Sequence, residues 1–220
     1  MSELLITVLV VLGTGLLVVA IFYLTGAKKK EREKKLAEYC RDRGYTFFKT
    51  NEPTKKEYII KGDNFSFTTT LALLHHDAGS DNDSWGRETV WNAATGDINR
   101  PSFALGSIPA GSWELLPDLI KRAAVDRLSH ETGLQLEISK AKVLEVEGET
   151  TFLLFENKPG EGKTISKRIG PCLKGWPAKY TLFIHSSPDR AQIRLADCFV
   201  QEVDLLDKIL RLGEAVGGRD

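Results

Sequence analysis

Side chains that bind metals are concentrated between His75 and Arg87, in the stretch HHDAGSDNDSWGR. The candidate ligands are His75, His76, Asp77, Asp81 and Asp83. Adjacent histidines on a strand point to opposite faces, so the pair does not chelate one ion without a bend. A calcium loop starting at Asp81 would have Trp85 at its third ligand position and Asn92 where a bidentate glutamate is required. The pattern favours a solvated acidic loop and predicts no cofactor, with a ligand or metal site there as the alternative.

A second candidate is the triplet Gly162-Lys163-Thr164, which follows the apolar segment TFLLFEN. A phosphate-binding loop needs a strand, the pattern GxxxxGK[ST] and a helix whose first amides hold the phosphates. Asn157 stands where the first glycine belongs, and Gly170 and Pro171 follow soon after the triplet. We therefore expect a turn between strands and no helix, which disfavours a nucleotide site.

Nucleophilic catalysis has little support in the sequence. The three cysteines, Cys40, Cys172 and Cys198, are far apart and lack the spacing of a zinc knuckle or a redox dithiol. They are typical of a reducing compartment. The nucleophile elbow GxSxG occurs nowhere.

The charge balance argues against a nucleic-acid partner. The chain has 30 basic and 30 acidic residues, a formal net charge of zero. A nucleic-acid binder needs a basic face on its folded domain. Here the basic residues are concentrated next to the N-terminal apolar stretch instead.

That apolar stretch, Leu4–Leu24, contains 21 residues and no charge. A helix of this length spans about 30 Å, the hydrocarbon thickness of a bilayer. A cleaved signal peptide would carry its positive charge before the apolar segment, whereas here the charge follows it. The stretch therefore predicts a transmembrane helix that contacts the lipid bilayer.

The orientation of that helix is predicted from the basic run that follows it. Its six cationic residues are Lys28, Lys29, Lys30, Arg32, Lys34 and Lys35. Because lysine and arginine stay on the cytoplasmic side, the N-terminus is predicted outside the cell (inner) membrane and the C-terminal domain in the cytoplasm. The same run predicts contact with anionic lipid headgroups at the membrane surface.

The rest of the chain is predicted as helices and short strands. Leu36, Tyr39 and Cys40 form an apolar stripe on a helix that ends at Gly44. Later helices are expected near Asp118–Leu128 and Leu205–Val216. Strands are predicted from their aromatic and β-branched residues at Tyr45–Phe48, Glu57–Lys61, Phe65–Leu74, Glu88–Ala93, Ser102–Ile108, Leu134–Ile138, Ala141–Val146, Thr150–Glu156, Tyr180–His185 and Gln192–Val200.

These elements predict an α+β fold: a transmembrane helix, a basic juxtamembrane helix and one domain of largely antiparallel strands with two packing helices. The predicted boundaries are 1–27 for the anchor, 28–44 for the basic helix and 45–220 for the domain.

Three segments resemble a loose group of uncharacterised bacterial single-pass membrane proteins: Lys34–Phe47 (KKLAEYCRDRGYTF), Glu88–Asn92 (ETVWN) and Pro101–Ser107 (PSFALGS). The resemblance implies an N-terminal anchor, a basic helix and a β-rich α+β domain in a bacterial membrane. It brings no catalytic residues.

The leading functional hypothesis is a non-enzymatic protein-interaction or scaffold module that binds a protein partner at the inner membrane. One alternative is an enzyme, or a ligand or metal binder, with a site near His75–Asp83. A second alternative is sensing of anionic lipid through the basic helix.

Overall fold

The computed structural model describes residues 2–75, 84–96, 101–108, 113–144 and 146–217, with the backbone alone for residues 2–12, Phe22 and His75. The described residues form four α-helices: α1 (Ser2–Asp42), α2 (Asp118–Thr132), α3 (Gly162–Leu173) and α4 (Val203–Gly217). They also form nine strands: β1 (Thr46–Asn51), β2 (Lys55–Lys61), β3 (Phe65–His75), β4 (Ser84–Ala94), β5 (Phe103–Ile108), β6 (Lys142–Leu144), β7 (Thr151–Glu156), β8 (Thr181–Ser186) and β9 (Arg190–Ala196).

All nine strands belong to one antiparallel sheet, in the order β1-β2-β3-β4-β9-β8-β5-β7-β6. The predicted α+β class with an antiparallel sheet agrees with this architecture. The expectation of two packing helices was too low, because α3 also packs against α4.

Helices cover the two faces of the sheet unequally. The second half of α1, α3 and α4 pack on one face, here called face A, over a large apolar core. On the opposite face, face B, α2 packs mainly against β5 and β8. The strand sequences reflect this difference: β7 reads TFLLFE and is buried on both sides, whereas β2 reads KKEYIIK and buries every second residue.

The second half of α1 is fixed to the domain by apolar and polar contacts. Leu36 and Cys40 are buried and Tyr39 packs beside them, as the helical stripe predicted. The Tyr39 hydroxyl donates to Asp207 of α4 at 2.7 Å, and Arg43 pairs with the same carboxylate at 2.9 Å. On the sheet side, Glu33 accepts a hydrogen bond from the Tyr58 hydroxyl at 2.8 Å.

The first half of α1 corrects the membrane prediction. Among the residues whose side chains are described, no helix is long and apolar enough to cross a membrane. This finding overturns the transmembrane helix at Leu4–Leu24, and with it the single-pass topology, the outside N-terminus and the inner-membrane location. The continuous helix α1 (Ser2–Asp42) crosses the predicted boundary between residues 27 and 28.

Two further predictions of secondary structure are corrected. Residues Leu134–Ile138 form no strand, because the backbone after Gly133 turns back to bond Ser129: Leu134 donates to its carbonyl and Leu136 to its hydroxyl. The segment after β7 is a helix, α3, where a turn was expected. Its Ile165, Ile169 and Leu173 are all buried, and this packing accommodates Pro171 near the helix end.

Candidate functional site

A cleft of about 670 Å³ lies against face B, under the segment that joins α2 to β6. Its walls come from four separate parts of the chain, at residues 102–104, 134–142, 155–159 and 185–187. The order β8-β5-β7 brings three of these parts together at one end of the sheet. The volume lies within the range of ordinary small-molecule sites.

The inner wall of the cleft is apolar. Phe155 of β7 and Ala104 of β5 lie side by side in register on the sheet. Leu134 and Leu136 pack against the same apolar cluster from the α2–β6 segment. Their alternation, which suggested a strand, instead directs two side chains of an extended segment toward the sheet.

His185 is the one imidazole among the described residues that line the cleft. It is the penultimate residue of β8, two residues after Phe183, and only 9% of its surface is exposed. Its Nδ1 is buried and has no hydrogen-bond partner among the described residues. Burial lowers the pKa of His185, and the Arg190 cation lowers it further, so the ring is neutral at neutral pH. A buried polar atom without a partner costs about 1–3 kcal/mol.

The charged groups that line the cleft form pairs. Lys140 and Glu137 lie 2.9 Å apart on the α2–β6 segment. Lys142 of β6 forms an ion pair with Glu156 at the end of β7, whose side chain is only 4% exposed. The four charges among the described lining residues therefore sum to zero.

Glu156 also changes the interpretation of the Gly162-Lys163-Thr164 triplet. Because α3 begins at Gly162, the strand–loop–helix order of a phosphate site is present after all. However, the Glu156 carboxylate accepts hydrogen bonds from the backbone amides of Gly160 at 3.3 Å and Gly162 at 2.5 Å. An internal carboxylate thus occupies the position that a bound phosphate would take at this helix N-terminus.

The serine hydroxyls nearest His185 are committed to main-chain carbonyls. Ser186 donates to the carbonyl of Pro101 at 3.2 Å, and Ser187 donates to that of Arg190 at 3.1 Å. Neither serine is therefore held as a nucleophile by the imidazole, an arrangement that nucleophilic catalysis requires.

The predicted metal-binding residues lie elsewhere. The backbone of His75 ends β3, and His76, Asp77, Asp81 and Asp83 lie outside the described residues. Within the described part of the chain, no three histidine, cysteine or acidic side chains converge to hold a metal ion. A site at His75–Asp83 stays a prediction.

The basic run lies along exposed turns of α1. Three of its members pair with carboxylates: Lys35 with Glu31 at 2.8 Å, Lys34 with Glu38 at 3.7 Å, and Arg32 with Glu202 at 3.9 Å. Such exposed pairs contribute little stability and leave the cations accessible. Binding of anionic lipid by this run stays a prediction.

Comparison with family models, with curated proteins and with solved structures finds no match for the chain. The resemblance to bacterial membrane proteins consequently adds no family, and the functional argument depends on the geometry of the cleft.

Proposed function

We propose that this protein is a non-enzymatic binding domain that holds a small, largely apolar molecule in the cleft against face B. The observation that carries the proposal is the combination of an apolar wall, a volume suited to a small molecule and one buried imidazole with an unused hydrogen-bonding atom.

The absence of an assembled nucleophile supports binding over catalysis. Ser186 and Ser187 donate to carbonyl groups, and Glu156 is engaged by Lys142 and two backbone amides. General acid–base work needs a group within reach of a reacting atom and free to exchange a proton. Of the titratable lining groups described, His185 alone has no charged partner, and one imidazole suffices for recognition.

The test is saturation-transfer NMR with a panel of uncharged aromatic fragments and the full chain. Ser139 lies at the exposed side of the cleft, so Ser139→Trp should fill the entrance without disturbing the core. Ser84→Trp is the matched control, because Ser84 is exposed at the start of β4 and does not line the cleft. We expect binding by the wild type and the control and its loss in Ser139→Trp. Equal binding by all three chains would refute the proposal.

A protein-interaction role is the second candidate, favoured by the apolar side chains on the part of face B that β1 to β4 form. Phe48, Ile59, Thr68 and Val90 are register partners that form a row across β1 to β4. Phe48 is 51% exposed, although aromatic side chains usually gain stability from burial. Exposed aromatic residues are frequent anchors at protein interfaces, so a protein partner with complementary apolar side chains would fit this row.

A photo-crosslinking residue at position 48 tests this role in cells. One recurrent adduct should form, and that partner, once purified, should bind the wild-type chain but not Phe48→Asp. The same crosslinker at exposed Glu52, just beyond β1, is the control for chance encounters. A partner whose affinity is unchanged by Phe48→Asp would exclude this surface.

A further inference from the structure

The imidazole of His185 is the polar feature of the cleft wall that the protein itself leaves unsatisfied. Its Nδ1 has no partner among the described residues, while the neighbouring hydroxyls of Ser186 and Ser187 are bonded within the fold. Because Nδ1 is itself buried, it becomes accessible to a ligand in the cleft only after a half-turn of the ring about its Cβ–Cγ bond. A ligand group placed there gains a hydrogen bond that no internal group supplies.

The charge state of the walls disfavours an ionised ligand. Glu137 is paired with Lys140, and Glu156 with Lys142. A ligand carboxylate or ammonium would have to break one of these pairs or lose its hydration without a counter-ion, and both are costly. An uncharged ligand incurs neither cost.

The apolar surfaces favour a ring. Phe155 lines the cleft from the sheet, and Leu134 and Leu136 of the α2–β6 segment line it beside the same apolar cluster. Flat aromatic and alicyclic groups bury much area against such walls at little conformational cost. A volume of about 670 Å³ accommodates a ligand of two or three fused rings.

We propose that the ligand of the cleft is an uncharged ring compound with a hydroxyl group, which hydrogen-bonds to the imidazole of His185 while the ring lies against Phe155 and Leu136. This inference rests on the proposed binding function. A hydroxyl group both donates and accepts, so it pairs with either tautomer of a neutral imidazole. Specificity for the hydroxyl arises because an analogue without it leaves the imidazole unpaired.

The test compares the affinities of the full chain for 2-naphthol, naphthalene and 2-naphthoate at neutral pH. We expect 2-naphthol to bind several-fold to tenfold more tightly than naphthalene, the range for one neutral hydrogen bond, and 2-naphthoate to bind most weakly. His185→Phe should abolish the preference for 2-naphthol while naphthalene still binds. His130→Phe, at an exposed position of α2, is the matched control and should keep the preference.

A second measurement covers the case in which His185→Phe fails to fold. In the wild-type chain, 2-naphthol should shift the ¹⁵N resonances of the His185 ring, and naphthalene should shift them much less. Equal affinity for 2-naphthol and naphthalene, tightest binding of 2-naphthoate, or unmoved imidazole resonances would overturn the inference. If these probes still bind and Ser139→Trp blocks their binding, the proposed binding function stands and only the preference for a hydroxyl group is refuted. If no probe binds, both fall.

Discussion

Replacing Glu33 by glutamine should loosen the second half of α1 from the sheet. The Glu33 carboxylate faces three groups at once: it accepts from the Tyr58 hydroxyl, pairs with Lys49, and lies 3.4 Å from the Lys56 ammonium. The side chains of Glu33 and Lys56 are only 14% and 10% exposed. The amide of glutamine retains an acceptor for Tyr58 but leaves both lysines without their counter-ion.

The size of the effect follows from this geometry. Breaking a fully buried ion pair costs about 3–5 kcal/mol, and a hydrogen bond to a charged group contributes about 1.5–3 kcal/mol. The rings of Tyr58 and Phe199 lie 4.8 and 5.0 Å from the Lys56 ammonium and retain part of its stabilisation. We therefore expect Glu33→Gln to lower the free energy of unfolding by about 2–3 kcal/mol, which lowers the Tm of a domain this size by about 4–12 °C.

The pH dependence of stability gives the same carboxylate an independent test. Burial alone would raise the pKa of Glu33, but hydrogen bonds from Lys49 and Tyr58 and the charges of Lys49 and Lys56 outweigh it and lower the pKa. A carboxyl whose folded pKa is depressed stabilises the fold above its unfolded pKa, about 4.3. That contribution is lost as pH falls through the folded value. The stability gap between wild type and Glu33→Gln should therefore narrow below about pH 4.

Thermal unfolding and thiol reactivity together measure the loosening. Cys40 lies on the packed side of α1 and is fully buried, and burial raises its pKa to about 11. Its reaction with a disulfide reagent should accelerate in Glu33→Gln, because the thiol reacts only when α1 lifts away. Glu31→Gln removes an exposed pair with Lys35 and should leave the free energy of unfolding nearly unchanged. If Glu33→Gln behaves like Glu31→Gln in both assays, the polar contacts do not hold α1.

The remaining predictions concern the core and α3. Gly213→Ala should cost about 1–3 kcal/mol in thermal or urea unfolding, because its Cβ would lie 2.4 Å from Cε2 of Trp91. A Gly213→Ala variant as stable as wild type would contradict this packing. Glu156→Ala should destabilise by about 1–2 kcal/mol through the lost acceptor at the start of α3, and a variant as stable as wild type would contradict that role. A short alkylation pulse followed by mass spectrometry should label half-buried Cys172 before the two buried thiols, and simultaneous labelling would argue against the fold.

Local pattern predicted those parts of the fold in which one element buries one face. The stripe of Leu36, Tyr39 and Cys40 identified the packed side of α1, because helical spacing alone decides which side chains meet the sheet. The strands β8 and β9 also followed from their aromatic and β-branched residues.

Tertiary packing overrode local signals in α3. Pro171 and the surrounding glycines indicated a break, yet Ile165, Ile169 and Leu173 lie four residues apart and are buried together. Their burial outweighs the weak helix propensity of the segment. The hydrophobic spacing was visible in the sequence and should have counted for more than the proline.

The cleft was not predictable from sequence, because its walls meet only through the non-sequential order β8-β5-β7. His185 ended a predicted strand, and alternation placed it on the same face as Phe183. The alternation predicted on which face of the sheet His185 lies, but it did not predict the cleft beside this residue. The sequence pointed to the His75–Asp83 cluster as a candidate site instead, because a single sequence shows only which residues are close along the chain.

The most direct test of the proposed function is the dissociation constant of 2-naphthol for the full chain and its two tryptophan variants, measured by calorimetry. Binding to wild type and Ser84→Trp should be saturable and of equal strength, whereas Ser139→Trp should bind at least tenfold more weakly because the indole fills the cleft. Absence of saturable binding to wild type, or the same dissociation constant for Ser139→Trp, would contradict a ligand site at this place in the fold.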